Sequence, residues 1–326
     1  MKTLFLVLAT LGNLKAAEVD HYTKAYEEIE EVGSIVNSRA NDYLQKALAT
    51  INKNSNCDES LLYKEMQKYF ANHSKGQLAK DLLHDESIPR TVIPLDNSVY
   101  GEWSVWNGFL LGRKKARTSP LALGPIIKIN GHVIGTDKIE HMFGMGFIYF
   151  KKYHLKGQPL TKVLKNGIFK EKTALGGNIL ATGVFSYADL SANFNGMRFW
   201  NHVLQKSDDV LGTQFNIGPY VSCVDNKWVQ EKEIDFSQYV DESMDESVNC
   251  SKFASKSGLE KFTKAIDLAN KSRSSDLKAC DSNNKALKNI SQKYDVVIES
   301  DSKKRSISHW IINAKGHEKV SYFNEF

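Results

Sequence analysis

The chain has 326 residues, 41% hydrophobic and 25% charged with only 6 Pro, a globular composition long enough to bury one large core or two smaller ones. Its 43 Lys and Arg against 38 Asp and Glu give a formal charge of +5, but the basic residues are scattered rather than clustered with aromatics, which argues against a nucleic-acid partner. Beyond the N-terminus no window reaches about 18 apolar residues without charge, so no membrane span is expected.

Taken in chain order, Lys2 precedes an apolar stretch, Leu4 to Gly12, and the small pair Ala16 and Ala17 precedes Glu18. This is the pattern of a cleavable signal peptide over residues 1–17, and it predicts export to the periplasm or beyond. Removing Lys2 and Lys15 leaves 41 basic against 38 acidic side chains, a net of +3, which suits an anionic polymer such as a cell wall. In an exported chain the even set Cys57, Cys223, Cys250 and Cys280 predicts disulfides, and the absence of any CxxC spacing argues against zinc. Of the three possible pairings we favour Cys250 with Cys280, both C-terminal, which leaves Cys57 with Cys223 to tie the N-terminal helices to the middle of the chain.

Residues 18–87 read as a helical brace. Tyr26, Ile29, Val32, Ile35 and Val36, then Tyr43, Leu44 and Leu48, recur at helical spacing across Tyr22 to Ile51, and Asp58 is placed to cap a second helix from Glu59 to Ala71. From Ile88 to Gly135 the chain is rich in Pro and Gly and irregular. Its Tyr100, Trp103, Trp106 and Phe109 either plug a core beneath the loop or stack on sugar rings. Pro125 to Ile129, Asn130-Gly131 and His132 to Ile134 form a hairpin signal.

A helix follows over 137–154, with Thr136 or Asp137 as cap and Ile139, Met142, Phe143, Phe147 and Phe150 on its apolar face. A second helix is predicted from Pro159 to Leu180. The segment from Gly183 to Leu190 interrupts, and a third helix, Leu190 to Gln205, has Ser186 or Asp189 as cap. Further on come a hairpin within Asn216 to Trp228, an acidic run from Asp235 to Asn249, helices at 257–269 and 283–293, and strands at 294–299 and 319–323. The predicted fold is mainly α with a small β element. A central domain over 88–250 would follow the brace, and a helical and β extension over 251–326 would carry a disulfide.

Two segments concentrate chemistry, GTDKIEHMFG (Gly135 to Gly144) and GVFSYADLSANFNGMRFW (Gly183 to Trp200). In the first, Asp137 and His141 are four apart and share a helix face, where they can bond each other or an ion. Asp137 can equally be a cap, and Glu140 by spacing alone fits a solvent face. Flanked by Ile139, Met142 and Phe143, Glu140 is otherwise a carboxyl in apolar surroundings, the setting that readies a general acid near neutral pH. In the second, Asn193 and Asn195 stand where helix propensity disfavours them, and Gly196 admits a close backbone.

These segments, with YVDESMDESVNC (Tyr239 to Cys250), resemble the exported lysozymes of predatory bacteria that cut deacetylated peptidoglycan, over about half the chain. The resemblance implies a lysozyme-like fold with Glu140 as general acid and Ser186, Tyr187, Ala188 and Asp189 as a substrate-facing loop. Asn193 and His141 join the substrate-binding set. It implies peptidoglycan as partner, action as a monomer, and neither cofactor nor metal. Asp189 is the second carboxylate on offer. Asp137, Asp189 and the acidic run at 235–246 are available to attract the ammonium groups of deacetylated sugars. Two alternatives stay open: a metal-dependent, phosphatase-like hydrolase using Asp137 and His141, and a wall-binding protein without turnover.

Overall fold

The helix from Tyr187 to Leu204 is buried through Val203 and lies in the larger of two apolar cores. The computed structural model describes residues 18–25, 27–53, 56–113, 123–172, 181–272, 278–281, 283–298 and 305–320. The fold is mainly helical, and its strands among these residues form five two-stranded pairs. In order come β1 (Glu18–Val19), α1 (Gly33–Ile51), α2 (Glu59–Met66), α3 (Gln77–His84), β2 (Leu123–Gly124), β3 (Ile126–Ile129) and β4 (His132–Gly135). Next are α4 (Thr136–Phe143), α5 (Met145–Phe150), α6 (Leu160–Lys172), β5 (Val184–Phe185) and α7 (Tyr187–Leu204). The chain continues through β6 (Val221–Val224), β7 (Lys227–Gln230), β8 (Lys252–Phe253), α8 (Lys256–Ser272), α9 (Lys285–Lys293), β9 (Val297–Ile298), β10 (Arg305–Ser306) and α10 (Ser308–Ile311).

Local chemistry sets several of these elements. Asn130 and Gly131 both take positive φ, 52° and 82°, the turn that matches strand twist, and they close β3 on β4 with Ile129 opposite His132. Asp225 and Asn226 do the same for β6 and β7. The Asp58 carboxylate accepts the Ser60 and Leu61 N–H groups and starts α2, and Ser186 Oγ accepts the Asp189 N–H and starts α7.

Elsewhere distant partners override spacing. The helix expected from Tyr22 begins only at Gly33. Before it, β1 pairs with β2, and the Val32 N–H donates to the Lys128 carbonyl at 2.9 Å. The Glu31 carboxylate accepts the N–H groups of Gly33, Asn130 and Gly131, so the chain is drawn out towards the hairpin instead of coiling. The α2 helix ends at Met66 rather than Ala71, in turns that lead to α3. The helix expected over 137–154 is divided at Gly144 and ends in a π-helical turn, Lys151–Leu155. Neither Thr136 nor Asp137 caps it. Gly135 is the N-cap, the Thr136 hydroxyl donates to the Pro125 carbonyl, and the Asp137 carboxylate is held by Lys138. The helix expected at Leu190 starts at Tyr187, which places Tyr187 to Asp189 in its first turn and not in a loop. The 173–180 part of the second helix, residues beyond 320 and the signal peptide lie outside the described residues.

One apolar core joins Val36 and Leu44 of α1 to Met142, Phe143, Phe199, Trp200, Tyr294 and Trp310. At its centre α5 crosses α7 so closely that a Cβ on Gly146 would lie 2.6 Å from the Gly196 Cα. A second cluster, with Tyr22, Tyr100, Trp103, Phe253 and Phe262, fills the space beneath the irregular 88–113 segment. Tyr100 and Trp103 are thus core plugs, while Trp106 is 89% exposed. Cys57 bonds Cys223 and Cys250 bonds Cys280, the pairing favoured above. Two disulfides fit an exported protein. Among the described residues no helix is long and apolar enough to cross a membrane.

Candidate active site

Every residue of α4 is buried, which is unusual for a helix that carries Asp137, Lys138, Glu140 and His141. Burial on this scale requires each charge to find a partner, and the partners divide the helix into two faces.

On one face stands Glu140, 6% exposed and so not on a solvent face. Its Oε2 accepts the backbone N–H of His73 at 3.0 Å and meets His73 Nδ1 at 2.5 Å. His73 lies in the short loop between α2 and α3, closed where the Lys75 and Gly76 N–H groups donate to the Asn72 carbonyl at 2.9 and 2.7 Å. Among the described residues Oε1 accepts no hydrogen bond, and it is not sealed from solvent.

On the other face Lys138 is fully buried. Its ammonium donates to Asp137 Oδ2 at 2.7 Å, Asp189 Oδ1 at 2.6 Å and Glu246 Oε1 at 2.7 Å. Glu246 also accepts from Ser186 Oγ at 2.8 Å and, through Oε2, from the Tyr22 hydroxyl at 3.3 Å. Burial opposes the charge on Lys138, but Asp137, Asp189, Glu246 and Glu18 outweigh it and hold the pKa well above the usual lysine value. For Asp137 burial wins and pushes the carboxyl up to about 7, in keeping with an Oδ1 that has no hydrogen-bond partner among the described residues. Asp189 is equally buried, yet His141 and Lys138 beside it bring its pKa below the ordinary value.

His141 reaches Asn193 Oδ1 through Nδ1 at 3.0 Å and Asp189 Oδ2 through Nε2 at 3.1 Å. Both contacted atoms are oxygens that accept, an arrangement that favours a ring donating from both nitrogens. Burial disfavours the charge such a ring carries, but Asp189, Glu171 and Asp137 overcome it and raise the pKa. A raised folded pKa contributes stability that is complete below the unfolded value near 6.5 and is lost as pH rises through the folded value. Wild type is therefore expected to exceed His141→Gln in urea midpoint by more at pH 6 than at pH 9. An equal difference at both would show a neutral ring.

Of the residues singled out in the sequence, Ser186, Asp189, Asn193 and His141 meet in this buried network. Ala188 is fully buried beneath them. Tyr187 turns elsewhere: its ring stands edge-on to Phe185 at 5.2 Å and lines a cavity of about 240 Å³ with Lys252, Ser308 and His309. Among the described residues no hydrogen bond or ion pair joins Glu140 to the network. Asp137 and His141 have separate partners and do not bond each other. The Asp137, Asp189 and Glu246 oxygens lie within 4.8 Å of one another, as metal ligands would, but the Lys138 ammonium bonds all three. The Lys138 ammonium thus neutralises these three acids from within. Further along the acidic run Asp241 pairs with Lys293 and accepts from Ser243 and Tyr294, whereas Asp235 is held only by the uncharged Asn37 and Ser237 and the Glu242 side chain is 40% exposed.

Sequence reasoning missed His73, Lys138 as hub and Glu246. Lys138 had a signal, since it lies four before Met142 on the stripe that enters the core. His73, 67 positions from Glu140, had none. No family model, no curated protein and no solved structure matches this chain.

Proposed function

We propose that this protein is a glycoside hydrolase of lysozyme type that cleaves the glycan strands of peptidoglycan, preferring deacetylated wall, with Glu140 as general acid. The observation that carries the reading is the setting of Glu140, a buried carboxyl with one oxygen anchored by His73 and the other unbonded. Such a group can hold a proton against the leaving glycosidic oxygen and take one back from the incoming nucleophile. Asp189 is committed to Lys138 and His141, so the mechanism uses one acid. Water or a hydroxyl of the sugar completes the cleavage. A lysozyme-like arrangement of the helices, and a wall substrate reached by export, belong to the same reading.

The test is muropeptide release from native and enzymatically deacetylated sacculi. Wild type is expected to act on the deacetylated preparation, with or without EDTA, and Glu140→Gln to lose activity by about 10²–10⁴-fold while its melting temperature stays near wild type. Absence of release from both preparations by wild type would overturn the reading. Loss of release in EDTA would favour a metal-dependent hydrolase.

A further inference from the structure

Glu140 Oε2 receives two donors from one residue, and this has a consequence for where the acid's proton resides. Resting on the lysozyme reading, we infer that His73 is a positioning residue that confines the transferable proton to Glu140 Oε1. Among the described residues the His73 Nε2 is buried and has no hydrogen-bond partner, whereas Nδ1 lies 2.5 Å from Oε2. Oε2 already accepts the His73 backbone N–H and so faces Nδ1 as an acceptor, which places an N–H on Nδ1 that is donated to Glu140. The backbone N–H of the same residue donates to the same oxygen at 3.0 Å. A carboxylate oxygen offers about two lone-pair positions, and on Oε2 both are taken. Oε1, unbonded among the described residues, is left to carry the proton to the leaving group.

The loop that presents His73 is built to hold this geometry. The Gln77 N–H donates to the Lys68 carbonyl at 3.2 Å and the Leu78 N–H to the Tyr69 carbonyl at 3.1 Å, so both ends of the loop are pinned together. At Gly76 a Cβ would fall 2.4 Å from the Ala71 backbone, so the loop closes more tightly than any side chain there permits. A fixed loop gripping one oxygen also fixes the plane of the carboxyl, on which proton transfer to a bound sugar depends.

The experiment compares wild type, Glu140→Gln, His73→Ala and His73→Asn on deacetylated sacculi, with kcat and KM determined separately and melting temperatures recorded. It adds the ¹⁵N resonances of the His73 ring. His73→Ala is expected to lower kcat about 10- to 100-fold with KM unchanged, since a misaligned acid slows chemistry without weakening binding. Asparagine, whose amide can donate from nearly the same place, is expected to restore most of kcat, and the Nδ1 resonance of wild type to move in Glu140→Gln. A folded His73→Ala with unaltered kcat, or an Asn variant as impaired as Ala, would overturn the positioning role and leave the lysozyme reading standing. A wild type inactive on every sacculus, with the Nδ1 resonance still responding to Glu140→Gln, would overturn the lysozyme reading and this role with it.

Discussion

Lys138→Met is expected to destabilise the protein by about 3–5 kcal/mol near neutral pH, the usual result of removing one partner from a buried ion cluster. Methionine keeps the length of the side chain and its packing but removes the ammonium that bonds Asp137, Asp189 and Glu246. Three buried carboxylates are then left within 4.8 Å of one another without a cation between them. Against a typical stability of about 5–15 kcal/mol, this loss leaves a marginal fold. The pH dependence identifies the cause. In the variant the carboxyls face burial and mutual repulsion, so their folded pKa values lie above the unfolded ones and stability falls as pH rises. In wild type the depressed pKa of Asp189 contributes stability that is nearly constant from pH 5 to pH 8. Asp137, raised to about 7, loses stability with rising pH in both proteins, but less where Lys138 lowers its pKa. Urea titrations at pH 5 and pH 8 should therefore show the gap between the two proteins widening at the higher pH. Adding Asp189→Asn to Lys138→Met should recover part of the loss. A gap that stays constant would mean that Lys138 acts through packing alone.

The cluster also shows where reading the sequence succeeds and where it stops. Turns and caps are decided by neighbours along the chain, and Asn130-Gly131, Asp58 and Ser186 behave as their chemistry predicts. The favoured pairing of the four cysteines also holds. The errors come where a backbone or carboxylate finds a partner far away. Tyr22 to Val32 has helical spacing, yet the Val32 N–H is claimed by Lys128 and the Glu31 carboxylate by Asn130 and Gly131. The acidic run 235–249 has the composition of a solvated segment, but Glu246 is fully buried because Lys138 needs a third carboxylate. Charge counted along the chain cannot distinguish an acid that faces water from one that neutralises an internal lysine. Glu140 was legible as a residue, and its burial was one of the two settings its neighbours allowed. Its burial follows from α4 packing on all sides, and its orientation from His73, which no spacing rule connects to it.

Removing the two disulfides is expected to rank stability and activity in opposite orders. Cys57–Cys223 closes a separation of 166 residues and Cys250–Cys280 one of 30. By the loop-entropy relation the first stabilises by about 5 kcal/mol and the second by about 3.5 kcal/mol, acting mainly on the unfolded chain. Around the first, the native contacts do not depend on the bond. Asn52 exchanges two hydrogen bonds with the Trp228 backbone, each 2.8 Å, and Gln45 bonds Gln230, so the β6–β7 hairpin stays on α1 once the sulfurs are gone. The Cys57→Ala, Cys223→Ala protein should thus show the larger fall in urea midpoint and a larger m-value, with muropeptide release almost unchanged below its transition. The second disulfide lies next to the charge cluster. The Cys280 N–H donates to the Ser247 carbonyl at 2.7 Å, which steadies the turn that delivers Glu246 to Lys138. Cys250→Ala with Cys280→Ala should therefore lose less stability and more activity, because slack in Glu246 reaches α4, and Glu140 stands two residues from Lys138. If both double variants keep full activity, the charge cluster does not govern the placement of Glu140.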